Sequence, residues 1–570
     1  MRKEVLYIIL AVAITFVVYY DSFNNSFIWD DYPFVVYNKA IRSLDAKSLI
    51  SFFTDRDTSS NSRTLSSDVY RPLVTASFAI DYRLLGLNPH LYHIENTALH
   101  LLNVFLVFSL VSSLFASTLP ALLAALIFGI HPVQTEAVTW ISGRSNVLFC
   151  FFYLAALLAH IGAPPNKRFS LALALFTAGL LAKEMAITLP VVMFLYDAHF
   201  PRKQWGLKKY AAYYTPFLAV SLAYLGARWS VVGGIMQGGS YWGSTVFENL
   251  MLTLKAVAGY IRLLFLPLNL RADYCLDMPG SIFDPDVVIA LTVLTIVAAS
   301  YAALRRNRVV SFFIAWFFVA LIPVCNLVPF KAVMAERFLY LPSIAFAGLA
   351  ALVMTRAEAF APKIAASVFA GLLIFYGAGT MARNVDWRNE ISLYTSDLAR
   401  SPGSARFHYN LGFAYCREYL VGPFREKDLN LRAEYYAKAE AAFKNALRLR
   451  PDHADSHFYL GNVYSDLGLY DKAIECFKNA LQADPGPGIY NNMGIVYYNR
   501  KEYDRAIECY KRALSLAWEV PQVGYLNLGD AYSKKREFTK ARKAWEAALK
   551  ASPGDKIVEE KVKNLKNAGF

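Results

Sequence analysis

What most constrains this chain is a series of apolar runs ahead of residue 381, about 17–25 residues each and so long enough to cross a bilayer. In lipid every backbone N–H and C=O must be satisfied within the segment, so such runs fold as helices. They carry much of a composition that is 56% hydrophobic and 15% aromatic over 570 residues. Spans are predicted at 4–20, 97–115, 119–131, 145–162, 169–183, 185–199, 210–228, 285–303, 309–327, 341–355 and 364–381, eleven in all. With the N-terminus inside, the inner loops carry Lys167/Arg168, Arg202/Lys203/Lys208/Lys209, Arg305/Arg306/Arg308 and Arg356/Lys363, as the positive-inside rule requires. The agreement holds if 246–268, which contains Lys255 and Arg262 and is flanked by Gly238-Gly239 and Pro267, is an interfacial or re-entrant helix. Met1-Arg2-Lys3 and the apolar run to Tyr20 resemble a signal sequence without a small-residue cleavage site, which reads as an uncleaved anchor.

The odd count places loop 21–96, loops 131–144, 229–284 and 328–340, and everything after residue 381 on the same, exoplasmic side. In a prokaryote that is the periplasmic side of the cytoplasmic membrane. The net charge of +14 is largely this loop charge, so it reads as topology and not as nucleic-acid binding. The six cysteines show no C-x-x-C spacing, which argues against a disulfide framework.

Past residue 400 the chain turns charged, tyrosine-rich and periodic. Tyr409-Asn410-Leu411-Gly412, Tyr459-Leu460-Gly461, Asn492-Met493-Gly494 and Asn527-Leu528-Gly529 each stand three residues before a tyrosine, at Tyr415, Tyr464, Tyr497 and Tyr532. Each is followed by a small–aromatic–small series: Ala439/Phe443/Ala446, Ala473/Phe477/Ala480, Ala506/Tyr510/Ala513 and Ala541/Trp545/Ala548. Small residues let paired helices approach, aromatics fill the gap, and Pro451, Pro485 and Pro553 end the second helix. The pattern resembles the tetratricopeptide repeat over 405–553, with about fifteen extra residues near Val421–Glu434 and a lysine-rich capping helix at 554–570. The domains are therefore 1–381 in the membrane, a connector at 382–404, the repeats and the cap. Such arrays bind peptides or proteins in a groove, or serve as a spacer or oligomerisation surface.

Asp30 and Asp31, in Trp29-Asp30-Asp31-Tyr32, open the first exoplasmic loop beside the bilayer, where adjacent carboxylates are costly unless used. They suit deprotonation of an acceptor hydroxyl or binding of a divalent cation; an Asp pair capping an interfacial helix is the plain alternative. On this topology Arg71, Arg144, Lys183 and Arg337 lie near the same membrane boundary, at headgroup depth, where several cations suit a lipid phosphate or pyrophosphate. His93, His131, Glu136 and Glu336 are the supporting polar residues.

The ordered series Trp29-Asp30-Asp31, Tyr70-Arg71-Pro72-Leu73, Asn88-Pro89-His90 with His93, His131-Pro132-Val133 with Thr135-Glu136-Ala137-Val138, Gly143-Arg144, Lys183-Glu184, Ala335-Glu336-Arg337 and Asn384-Val385-Asp386-Trp387-Arg388-Asn389-Glu390 precedes the repeats. Over nearly the whole chain this resembles the transmembrane and tetratricopeptide-repeat O-mannosyltransferases and their prokaryotic relatives. The resemblance implies an all-α fold: a polytopic GT-C-like helical membrane domain followed by a repeat α-solenoid. It also implies inverting transfer of a sugar, mannose in eukaryotic members, from a polyprenyl-phosphate carrier to a protein Ser or Thr hydroxyl. The family's acidic pair falls on Asp30 and Asp31. Gln134 stands where relatives often carry a second histidine, so no metal or paired-imidazole role is carried over there.

On this reading one of the two aspartates takes the acceptor proton. Arg337, with Arg71, Arg144 or Lys183, then stabilises the leaving phosphate, and no metal is obligatory. Two other readings are a membrane scaffold whose repeats recruit envelope proteins, and a transporter or lipid flippase. The clustering of charge at one face speaks against the last.

Overall fold

The computed structural model describes residues 2–59, 69–162, 165–202, 205–234, 245–326, 332–421, 429–516, 521–567 and 569. Gly238-Gly239, Lys203 and residues 422–428 of the expected insertion lie outside the described residues. Among those described, all regular structure is helical. The chain divides into two compact units, Met1–Ser401 and Pro402–Phe570.

In the first unit every expected span overlaps a helix, although 185–199 opens in the 3-10 turn Glu184–Thr188 and the helix within 309–327 ends at Leu321, with Leu327 outside the described residues. Six helices are long and apolar enough to cross a membrane: Lys3–Asn24, Pro89–Phe115, Ile141–Ile161, Pro285–Leu304, Ser343–Phe360 and Pro362–Asp386. A seventh crossing comes from Thr118–Ile130 and Pro132–Val138 if that bent pair is one span. The protein is an integral membrane protein. Thr118–Ile130 is apolar all round and buried from Pro120 to Ile130, so it is the core of the bundle and not part of its lipid face. It stops at His131-Pro132, where proline removes a helical donor, and the chain turns by 53°. Pro89–Phe115 starts with Pro89 in its first turn and the Asn88 side chain accepting from the His90 N–H at 3.2 Å.

Val246–Phe265 is not one of the six; it opens on a Thr245/Glu248 capping box and buries Asn249, Leu252, Ala256, Tyr260 and Leu263 on one side. Lys255 on this helix reaches Asp286 at 3.2 Å and the Asp277 carbonyl at 3.1 Å. The stretch expected as a connector is largely part of the membrane unit. The last long helix continues to Asp386, and Glu390–Arg400 buries Leu393, Tyr394 and Asp397.

The second unit is built from four helix pairs: Ala405–Val421 with Leu429–Leu449, Ala454–Asp466 with Tyr470–Ala483, Pro487–Asn499 with Tyr503–Ser515, and Pro521–Lys534 with Phe538–Ala551. Lys556–Asn567 covers the end with Val558 and Val562. The repeat glycines sit where the sequence pattern requires close approach. A Cβ on Gly494 would lie 2.6 Å from the Tyr510 ring, and one on Gly461 2.7 Å from Phe477. Cys476 and Cys509 are free thiols buried in this packing.

Candidate active site

The expected site residues converge on one short segment, 131–146, between the bundle core helix and Arg144–Ile161. His131 closes the core helix. Its Nε2 lies 2.9 Å from the Leu264 carbonyl, which can only accept, so Nε2 donates and Nδ1 accepts from the Val133 N–H at 3.3 Å. Both ring nitrogens are thereby used in holding the turn. The Asn96 amide then donates to the carbonyls of Val138, Trp140 and Ile141 at 3.3, 3.0 and 3.2 Å. Gly143 folds back so tightly that a Cβ there would meet the Ala137 carbonyl oxygen at 2.6 Å and that of Glu136 at 2.8 Å.

The two aspartates are used differently. Asp31 is fully buried; its Oδ1 accepts from the Ser142 N–H at 2.8 Å and hydroxyl at 2.6 Å, and its Oδ2 from the Ile28 N–H at 3.0 Å. Burial pushes its carboxyl up to about 7, against the pull of these hydrogen bonds, and Asp30 adds to the rise. Asp30 is half-buried, and its charge also reaches Arg71. Trp29, just before the pair, has a left-handed backbone (φ 49°). Its N–H donates to Glu390 at 2.8 Å and its ring stacks on Trp140, 5.2 Å between centroids and 19° from parallel.

Of the four cations singled out from sequence, three belong together. Arg71 makes a two-pronged pair with Glu184 at 2.8 and 3.2 Å. Arg337 donates to Glu136 through both its guanidinium and its backbone N–H, and lies 5.7 Å from the Trp140 ring. Lys183 is buried, donates to Asn146, and feels the charges of Arg71, Glu184, Arg337 and Glu136. Arg228, in Leu207–Val232, joins the group through Glu184 and Tyr224. Three arginines and Lys183 thus face Glu184 and Glu136, with the charge of Asp30 also reaching Arg71.

Arg144 stands apart: fully buried, it donates to Asp81, to Asn96 at 2.9 Å and to the Tyr92 carbonyl at 3.2 Å, and lies 4.7 Å from the Phe78 ring. It ties helices together. His93 is buried with Nε2 3.1 Å from the Asn25 carbonyl. Glu336 belongs to a second charged group, accepting from the Arg271 N–H and from Tyr274 at 2.8 Å. Burial pushes its carboxyl up to about 8, with Arg383 opposing. Arg383 also pairs with Asp386 and Asp397 at 3.0 and 2.9 Å, and Arg400 with Asp386 at 2.9 Å.

Sequence reasoning left out Ser142, Arg228, Arg383, Asp397 and the indole of Trp140, and named Glu184 and Trp387 only as members of the ordered motifs. Arg228 carried a usable signal, since an ionisable residue in an apolar helix is costly unless it serves a purpose. Among the described residues no group of three or more His, Cys, Asp or Glu side chains is arranged to hold a metal ion.

These two units define a polytopic helical membrane protein continued by a tetratricopeptide-repeat array. The tetratricopeptide-repeat profile matches residues 454–487, 488–517 and 524–555. The chain's curated relatives are protein O-mannosyl-transferases. One from Caenorhabditis elegans is 27% identical and covers 71% of this chain and 59% of the relative. Another, Protein O-mannosyl-transferase TMTC3 of Homo sapiens, is 24% identical and covers 84% and 55%. The chain thus spans somewhat more than half the length of the relatives it matches. Among solved structures, the crystal structure of MamA protein is 23% identical over 28% of this chain and 80% of that one, with a TM-score of 0.24.

Proposed function

We propose that the chain is an inverting glycosyltransferase of the GT-C type. It moves a hexose from a polyprenyl-phosphate carrier to a protein Ser or Thr hydroxyl on the exoplasmic side. The observation that carries this is the division within the Asp pair: Asp31 is locked to Ser142 and Ile28, whereas Asp30 is half-buried and electrostatically joined to Arg71. Asp30 takes the proton from the acceptor hydroxyl, whose oxygen attacks the anomeric carbon as the carbon–oxygen bond to the lipid phosphate breaks. Arg71, Lys183 and Arg337 face the negative charge that then builds on the departing phosphate. Arg144 acts on the site only by fixing the segment it opens. The lipid phosphate is an adequate leaving group, so the step itself asks for no divalent cation. The names of the relatives support mannose as the hexose and a protein as the acceptor. The repeats, with exposed polar surface on successive helix pairs, supply the acceptor-binding surface.

The test is transfer of labelled mannose from dolichyl- or undecaprenyl-phosphate mannose to a Ser/Thr-containing protein by the purified chain in liposomes. Asp30→Asn is expected to lower kcat by about a hundredfold or more, the usual share of a general base. Full activity in both Asp30→Asn and Asp31→Asn would remove the carboxylate role. Function that survives every charged-loop change but fails on repeat-surface changes would indicate a scaffold.

A further inference from the structure

Trp140 and Trp387 lie between the two charged groups, 6.1 Å apart by ring centroid. Trp140 has one face against Trp29, so what the pair offers is largely indole edge. Both Nε1–H groups are buried and without a partner. The Arg383 guanidinium lies 5.6 Å from the Trp387 ring, and its Nε and Nη2 are likewise buried and unpartnered. Glu336 Oε2 accepts no hydrogen bond and makes only a long ion pair, 4.0 Å, with Arg383 Nε. Four donor nitrogens and one carboxyl oxygen without a hydrogen bond therefore lie along one chain of contacts, from Trp29 through Trp140 and Trp387 to Arg383 and Glu336. Buried polar groups are nearly always satisfied, so such a concentration calls for a ligand or ordered water.

The charge around them says which ligand. Arg383 and Arg400 are paired with Asp386 and Asp397, two cations against two carboxylates, and burial keeps Glu336 a carboxylic acid up to about 8. A phosphate finds no surplus positive charge there. A hydroxyl fits, because it accepts from an N–H and donates to a carboxyl oxygen at once. We propose that the indole edges of Trp140 and Trp387, with Arg383 and Glu336, form the subsite that holds the hydroxyls of the transferred hexose. This rests on the glycosyl-transfer reading, and it divides the labour: the Arg71–Lys183–Arg337 group takes the lipid phosphate and the Arg383–Glu336 group takes the sugar.

The experiment measures binding to the full chain in nanodiscs, by calorimetry, of two probes: citronellyl phosphate and citronellyl-phosphate mannose. Wild type is expected to bind the mannosylated probe more tightly than the bare one. Trp387→Phe keeps an aromatic of similar shape and loses only the N–H and part of the ring. It is expected to weaken the mannosylated probe about three- to tenfold, as one neutral hydrogen bond would, and Glu336→Gln by about tenfold or more, while the bare probe is unaffected. Equal loss of both probes marks a structural role and overturns the subsite, and so does wild type that gains nothing from the sugar. Unchanged binding in both variants means the orphan groups hold only ordered water, which also overturns it. If wild type binds the mannosylated probe more tightly and the variants lose that gain, yet no transfer occurs, the subsite stands and the enzymatic reading falls.

Discussion

At the residue scale, the two neighbouring aspartates differ by what surrounds them. Asp31, with its carboxyl raised to about 7, contributes stability in full below the unfolded value near 3.8 and loses it as the pH rises through about 7. Between about pH 4 and 7 the melting temperature of wild type should therefore fall from this group's contribution, and Asp31→Asn should flatten that slope. Differential scanning fluorimetry across pH checks it. Arg337→Lys is the second residue-scale prediction. Lysine keeps the charge but not the planar fork, so donor KM should change little while kcat falls about tenfold, read from steady-state transfer. The Asp pair itself was visible in the sequence as two carboxylates among aromatics beside a membrane. Its asymmetry was not, because that depends on Ser142, which is 111 residues away and unremarkable in its own stretch. Arg144 shows the converse: its position in a Gly-Arg pair between apolar runs suggested a phosphate-facing cation. Only the approach of Asp81, Asn96 and Tyr92 reveals that its donors are already taken.

At the element scale, the segment 131–146 depends on a backbone contact that no side chain could tolerate. Gly143→Ala would drive a methyl group into the carbonyls of Ala137 and Glu136, and should cost about 2–3 kcal/mol. A lowered melting temperature of the detergent-solubilised chain, with transfer lost at the same time, is the expected result. The repeats allow a cleaner version. Gly494→Ala alone should destabilise its helix pair by about 1–3 kcal/mol, because Tyr510 fills the space, and adding Tyr510→Leu should recover part of the loss. Chemical denaturation of the repeats measures both. That pairing was legible in the sequence, since small and aromatic residues at fixed offsets have few other uses. The long apolar helices of the membrane unit were legible too, each as an apolar run, whereas Ala46–Thr54, Pro72–Leu85 and Glu390–Arg400 were not. By sequence the stretch 382–404 is a connector between the last apolar run and the repeats. In the fold its residues Arg383, Asp386, Asp397 and Arg400 are consumed by one another.

At the scale of the whole molecule, the two units have separate cores, one of membrane helices and one of repeat aromatics. Residues 402–570 expressed alone should therefore give a helical far-ultraviolet spectrum and a cooperative thermal transition, and 1–401 should remain extractable as a monodisperse membrane protein. Loss of helical signal in the isolated repeats would show that the units fold only together. The two charged groups either side of Trp140 differ in balance: cations predominate around Lys183, whereas Arg383 and Arg400 are matched by Asp386 and Asp397. Such an arrangement is a polarity gradient laid across a single indole, and it distinguishes the two ends of anything that enters. A molecule bearing an anion at one end and hydroxyls at the other meets complementary charge in one direction only. Turned end for end, it would bring its anion to arginines already matched by Asp386 and Asp397. The fold would thus act as a one-way socket, with orientation decided by the field before any bond is made.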